Sequence, residues 1–197
     1  MITPPIKIGI TGTHSTGKTS FFDAVQEALS PSHLRVVRIG DFARRARSIG
    51  FPILRDHTFE STLWIMAECL RLEAEASLSN DVILVDRPVL DALGYLRAAL
   101  QLTNRTIGQR RLDELTAIAK AHTPDYDLLI KTSLDANILL GEGRDRDPQL
   151  REAAASWIEA LISDFHAPVL TLTSSNRNEI IQYTTTFISS RVSDSEG

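Results

Sequence analysis

Apolar positions along the chain alternate between two rhythms. The run "IKIGIT" at residues 6–11 is short and β-prone, whereas Phe21, Val25 and Leu29 recur four apart, the spacing of one helix face. The alternation continues. "LRVVRI" (34–39) reads as a strand and "DFARRARSI" (41–49) as a short helix, followed by a long helix over 58–78 striped by Phe59, Leu63, Met66 and Leu70. "DVILVD" (81–86) is a continuous apolar run of strand length, as expected for a strand buried on both faces of a parallel sheet. Helical stretches at 88–101 and 108–122 precede a fourth strand, "DLLIK" (127–131). A polar segment then leads to a helix carrying Trp157, Leu161 and Phe165 on one face. "PVLTL" (168–172) is a fifth strand, and a last helix starts near Asn176. Strands separated by helices predict an α/β fold: one doubly wound, parallel, five-stranded sheet with helices on both faces. A single domain is expected over 1–190, with a lid around 132–148 and a disordered tail at 191–197.

Composition narrows the function classes. A chain of 197 residues suffices for one compact domain, and an apolar content of 43%, near the globular norm, with 23% charged residues excludes a disordered or collagenous chain. The formal net charge of −4 opposes a protein that works by neutralising a nucleic-acid backbone, so no nucleic-acid partner is expected. Most basic residues are arginine, which suits phosphate recognition but also follows from a GC-rich genome. The single cysteine, Cys69, falls in a helical stretch, so no intrachain disulfide can form. No segment has the length and apolarity of a membrane span or a signal peptide. These features predict a cytoplasmic location without a membrane partner, and a homodimer is compatible with them.

The first strand runs into Gly12-Thr13-His14-Ser15-Thr16-Gly17-Lys18-Thr19, a complete G-x-x-x-x-G-K-[ST] string, and then into a helix. That strand–loop–helix context makes the string a phosphate-binding loop. Backbone N–H groups of residues 12–20, through Ser20, would curl around the β-phosphate at the helix's positive end. Lys18 would reach the β- and γ-phosphates, and the Thr19 hydroxyl would ligate Mg²⁺. His14 lies in the variable part of the loop.

Asp86 ends the buried run "VILVDRP" on the edge where open α/β sheets bind ligands. It can hold Mg²⁺ or accept a proton from an attacking hydroxyl. The alternative is a cap for a helix beginning at Pro88. Arg87 would meet phosphate or an acidic acceptor. In "GEGRDRDP" (141–148), Gly141 and Gly143 are candidate hinges and Arg144 and Arg146 candidate γ-phosphate ligands, with Asp147-Pro148 starting a helix. The competing reading is a solvated loop with local ion pairs. Asp41 and Arg44 in "DFARRAR" would face an acceptor beside the nucleotide.

"TGTHSTGKTS", "DFARRAR", "VDRPVLDALGYL" and "GEGRDRD" together resemble the nucleoside- and nucleotide-monophosphate-kinase branch of P-loop proteins. Within it, the chain is similar to the AAA-domain group that includes the ribosylnicotinamide kinase domain of NAD-biosynthesis regulators. The resemblance implies an ATP·Mg²⁺ site, a small-molecule acceptor site between the second- and third-strand edges, and an arginine lid. It also places "TSSNR" (173–177) against the adenine, making Thr173, Ser175 and Arg177 base-contact candidates. Related sequences often carry a glutamate where Asp41 stands.

The leading expectation is therefore a kinase that moves the ATP γ-phosphate to a nucleoside, nucleotide or similar acceptor. The alternative is a regulatory NTPase or nucleotide switch acting on a protein. Asp91-Ala92-Leu93-Gly94 matches the D-x-x-G of switch GTPases, but it falls in a helical stretch and no N-K-x-D string is present. A hexameric motor would need a separate helical domain for which this length has no room.

Overall fold

A computed structural model describes residues 4–13, 17–133 and 147–195. The strands are β1 (Ile6–Thr11), β2 (Val36–Ile39), β3 (Val82–Asp86), β4 (Leu128–Thr132) and β5 (Val169–Leu172). They form one all-parallel sheet in the order β2-β3-β1-β4-β5. The helices are α1 (Lys18–Leu29), α2 (Phe42–Ser48), α3 (Phe59–Ala76), α4 (Val89–Thr103), α5 (Gln109–His122), α6 (Pro148–Asp164) and α7 (Arg177–Ser195). The expected element sequence is present throughout, with ends displaced by a residue or two, as fraying termini are. The exception is the C-terminus. There α7 continues to Ser195, through residues 191–195 of the stretch read as a disordered tail.

The pleat divides the core in two. Val82 and Leu84 of β3 join Ile6, Ile8 and Ile10 of β1 under α1 and α7, where Phe21, Phe22, Val25 and Leu29 are buried. Ile83 and Val85 point to the opposite face, beneath α2, α3, α4 and α5. Here α3 buries a different stripe from the one its largest apolar residues suggest. Thr62, Ile65, Met66, Cys69, Glu73 and Ala76 are buried, while Phe59, Leu63 and Leu70 pack only partly against the core. Glu73 is a charged member of the buried stripe. Its carboxylate accepts from Lys7 Nζ at 3.1 Å and the Tyr126 hydroxyl at 2.6 Å, tying α3 to the start of β1. The Cys69 thiol also donates to it, at 3.3 Å. Burial and the neighbouring Glu73 charge push the Cys69 thiol far above its usual range, so it is held protonated and inert.

Helix α6 packs closely on α4, burying Leu150, Ala154 and Ile158 against Leu90, Tyr95 and Ala98. Gly94 makes this approach possible: a Cβ there would lie 2.5 Å from Ile158 Cγ1. Among the described residues, no helix is long and apolar enough to cross a membrane.

Candidate functional site

The parallel sheet brings β1 and β3 to the same edge, with Ile10 paired to Asp86. Beyond β1, Gly12 takes φ +128° and Gly17 φ +79°, conformations that L-residues seldom adopt. Gly17 is the N-cap of α1, so Lys18 and Thr19 open the helix as the G-x-x-x-x-G-K-[ST] string requires. His14, Ser15 and Thr16 lie outside the described residues. Lys18 is buried, and its ammonium donates to the Gly12 carbonyl at 3.0 Å and to that of Thr13. Thr19 and Ser20 are exposed on the first turn of α1.

Asp86 sits at the expected strand end, but it is not a helix cap. Helix α4 starts after Pro88 with no side-chain cap. Asp86 Oδ2 instead accepts from Arg38 at 2.9 Å, and Oδ1 is buried without a hydrogen-bond partner. Arg38 is held in turn by Asp23 at 3.5 Å and by the Phe22 ring, 4.6 Å below its guanidinium carbon. A buried, unpartnered carboxylate oxygen is a costly arrangement that a cation or a reacting proton would relieve.

Arg87 adopts φ +71°, a strained backbone that turns the chain from β3 toward α4 while its N–H donates to the Ile10 carbonyl at 3.0 Å. Its guanidinium lies over the Tyr95 ring at 5.1 Å. Burial pulls its pKa down, but Tyr95, Asp91 and Asp86 outweigh it and hold the arginine above its ordinary value.

A further buried carboxylate at the root of the loop belongs to Asp91, which in the sequence stands out only as part of a GTPase-like string. Asp91, one turn beyond Arg87 on α4, is 2% exposed. It accepts from the Thr11 hydroxyl and from the Gly12 N–H at 3.2 Å. Burial pushes its pKa up to about 6, against the opposing pull of Arg87, the Thr11 hydroxyl, Lys18 and the Gly12 N–H.

Beside Asp91 is a cavity of about 40 Å³, walled by Phe42, Ala43, Leu54, His57, Ile65, Arg87, Asp91, Ala92 and Tyr95. It lies between α2, the turn at 54–57, α3 and α4. His57 stacks on Tyr95 with ring centroids 6.2 Å apart. Nothing in the sequence around His57 marks it, because its neighbours come from distant segments. Arg105 holds the turn in place, donating to the carbonyls of Arg55 and, at 3.1 Å, His57.

Asp41 and Arg44, the acceptor candidates on α2, pair with each other at 2.6 Å on the exposed surface, and the α2 residues that wall the cavity are Phe42 and Ala43. Arg144 and Arg146 lie outside the described residues, as do Gly141 and Gly143. Asp147 caps α6 through the Leu150 N–H at 3.1 Å, and Pro148 is the first helical residue, as the sequence predicts. Arg55 clamps Asp147 to the cavity turn. After β5, Thr173 and Asn176 close a turn by mutual hydrogen bonds, and Ser175 meets the Thr173 hydroxyl at 3.0 Å. Arg177 donates to the Ser20 carbonyl at 2.7 Å, which ties this turn to the first turn of α1.

A family model described as an AAA domain matches residues 7–179. No curated protein matches the chain by sequence. Among solved structures, deoxyadenosine kinase from M. mycoides with bound dATP superposes with a TM-score of 0.63 at 13% identity, covering 92% of this chain and 100% of that one. Thymidylate kinase from Candida albicans gives 0.66 at 14% identity over 95% of this chain and 92% of its own. NadR protein in complex with NR gives 0.69 at 12% identity over 94% of this chain and 52% of that one, so this chain spans about half its length. At these identities the likeness is one of fold.

Proposed function

The chain belongs to the AAA-domain family, and from that premise we propose that it is a small-molecule kinase. It would transfer the γ-phosphoryl group of ATP to a hydroxyl or phosphate acceptor. The observation that carries this reading is a shared wall. Asp91 faces the cavity beside α4 and at the same time binds Thr11 and Gly12 at the root of the phosphate loop. A transferase needs two adjoining subsites so that donor and acceptor react as one unit.

In this reading the backbone of residues 12–20 cradles the phosphates, and Lys18 leaves the Gly12 and Thr13 carbonyls to meet them. Thr19 and Asp86 are the residues that would hold Mg²⁺, for which the unpartnered Oδ1 of Asp86 is suited. The ion supplies charge neutralisation on the phosphate oxygens. Asp86 can alternatively take the proton of the attacking hydroxyl. Arg87 orients the acceptor, while Arg144 and Arg146 complete the site from the lid and exclude water. Thr173, Ser175 and Arg177 border the base end.

A switch that acts on a protein partner gains no support from Asp91–Gly94. Both ends of that string are built into packing: Asp91 is bound to β1, and Gly94 is pressed against Ile158. A thermal-shift screen of nucleosides, nucleotides and sugars, run with ADP and Mg²⁺ present, tests the proposal. A small molecule that raises the melting temperature only when ADP is bound supports it; stabilisation by ADP alone, with no response to any acceptor, contradicts it.

A further inference from the structure

Side chains alternate along a strand, so Asp86 shares with Val82 and Leu84 the face of the sheet that α1 covers. The register sets Arg38 of β2 beside Leu84, two residues short of Asp86. From there its side chain meets three groups. One arm of the guanidinium donates to Asp86 Oδ2 at 2.9 Å, the other faces Asp23 at 3.5 Å, and the Phe22 ring lies 4.6 Å from the central carbon. Phe22 and Asp23 stand three and four residues after Thr19 on α1, the spacing of one helix face. Arg38 therefore ties together the two elements that carry the candidate metal ligands, Thr19 and Asp86. Gly40 lets the chain leaving β2 pass close to them: a Cβ there would lie 2.9 Å from Asp86 Cβ.

The two acidic partners of Arg38 are unequal. The Asp23 side chain is 66% exposed and that of Asp86 only 19%, so water screens the longer pair and the arginine charge acts mainly on Asp86. Among the described residues, the charges gathered around this edge are Asp86 and Asp91 against Arg38, Arg87 and Lys18, with exposed Asp23 at the margin. The cluster holds no surplus of negative charge to draw in a free divalent cation. The polyphosphate of a nucleotide reverses that balance, because it brings several anionic oxygens to the same ion.

We propose, resting on the kinase reading above, that Arg38 is the positioning residue of the metal site. It fixes the Asp86 carboxylate through Oδ2, leaves Oδ1 unpartnered, and cancels the carboxylate's charge, so that a divalent cation enters only as its nucleotide complex.

Mn²⁺ binding to the full chain, followed by electron paramagnetic resonance, tests this. Without nucleotide, Arg38→Gln should bind Mn²⁺ about tenfold or more tighter than the wild-type chain, because a neighbouring cation repels a divalent ion by at least that much. Arg38→Met, which keeps an apolar stem over Phe22, should show the same gain, and Arg38→Lys, which keeps the charge, should not. A merely structural role for Arg38 predicts no gain at all. Adding Asp86→Asn to Arg38→Gln should remove the gain. Equal or weaker Mn²⁺ binding by both uncharged variants overturns the inference, as does a gain that survives Asp86→Asn. The underlying reading is tested separately by Asp86→Asn with ADP present: unchanged Mn²⁺ binding there contradicts Asp86 as a metal ligand. If Mn²⁺ behaves as expected but no acceptor takes phosphate, the inference stands and the kinase reading alone fails.

Discussion

The Asp91 carboxylate accepts the backbone N–H of Gly12 at 3.2 Å, so the first turn of α4 holds the residue that opens the phosphate loop. This contact, together with the Thr11 hydroxyl on the other oxygen, fixes where β1 ends. It also gives the protein a distinctive acid–base signature.

Asp91 and His57 shift in opposite directions, and their effects on stability oppose each other. Asp91 titrates near 6 when folded and near 3.8 when unfolded, so its contribution is present at low pH and is lost as pH rises through about 6. His57 titrates near 4 when folded and 6.5 when unfolded, so its contribution is present above 6.5 and is lost as pH falls toward 4. Each is worth about 3 kcal/mol at full extent. Urea unfolding across this range should therefore show Asp91→Asn gaining stability as pH rises, and His57→Gln losing it. Parallel slopes in the two variants would contradict the assignment.

Lys18→Ala should weaken ATP·Mg²⁺ binding by about ten- to a hundredfold, the worth of a charge-assisted hydrogen bond. The fold should survive, because the ammonium donates to the Gly12 and Thr13 carbonyls at the loop rather than packing into the apolar core. Calorimetry showing undiminished affinity would remove the loop from the account.

Asp86→Asn should lower turnover by roughly 10²-fold or more, with a smaller change in nucleotide affinity. Its Arg38 contact persists in part, since an amide oxygen can still accept from the guanidinium. Near-normal turnover would reduce Asp86 to an anchor for Arg38.

Gly94→Ala should destabilise the protein by about 1–3 kcal/mol, because the added methyl meets Ile158 across the α4–α6 contact. Thermal unfolding measures this directly. An unchanged melting temperature would mean that α6 moves aside freely.

Much of this architecture was legible in the residue pattern. The strands were plain because β3 is a continuous apolar run and the others are short β-prone segments set between helical stretches, and the phosphate loop because glycine and lysine at fixed spacing have one main use. The cavity beside α4 was not. Asp41, the N-cap of α2, and Arg44 pair with each other at the surface, and the residues of α2 that wall the cavity are Phe42 and Ala43. His57 and Tyr95 meet only through tertiary packing, which a local pattern does not encode. Asp91 is polar within an apolar helix. Its role follows from where β1 ends, a fact visible only once the sheet is formed.

The most direct test of the central claim follows γ-labelled phosphate from ATP in the presence and absence of candidate acceptors. A kinase keeps water from the γ-phosphate until its acceptor arrives, so basal hydrolysis should be slow. The right small molecule should raise turnover by orders of magnitude and carry the label. Arg144→Ala and Arg146→Ala should abolish that stimulated rate with modest change in ATP affinity, because lid contacts tighten in the transition state. Label released only as inorganic phosphate, at a rate that no small molecule raises and a protein partner does, would contradict the account.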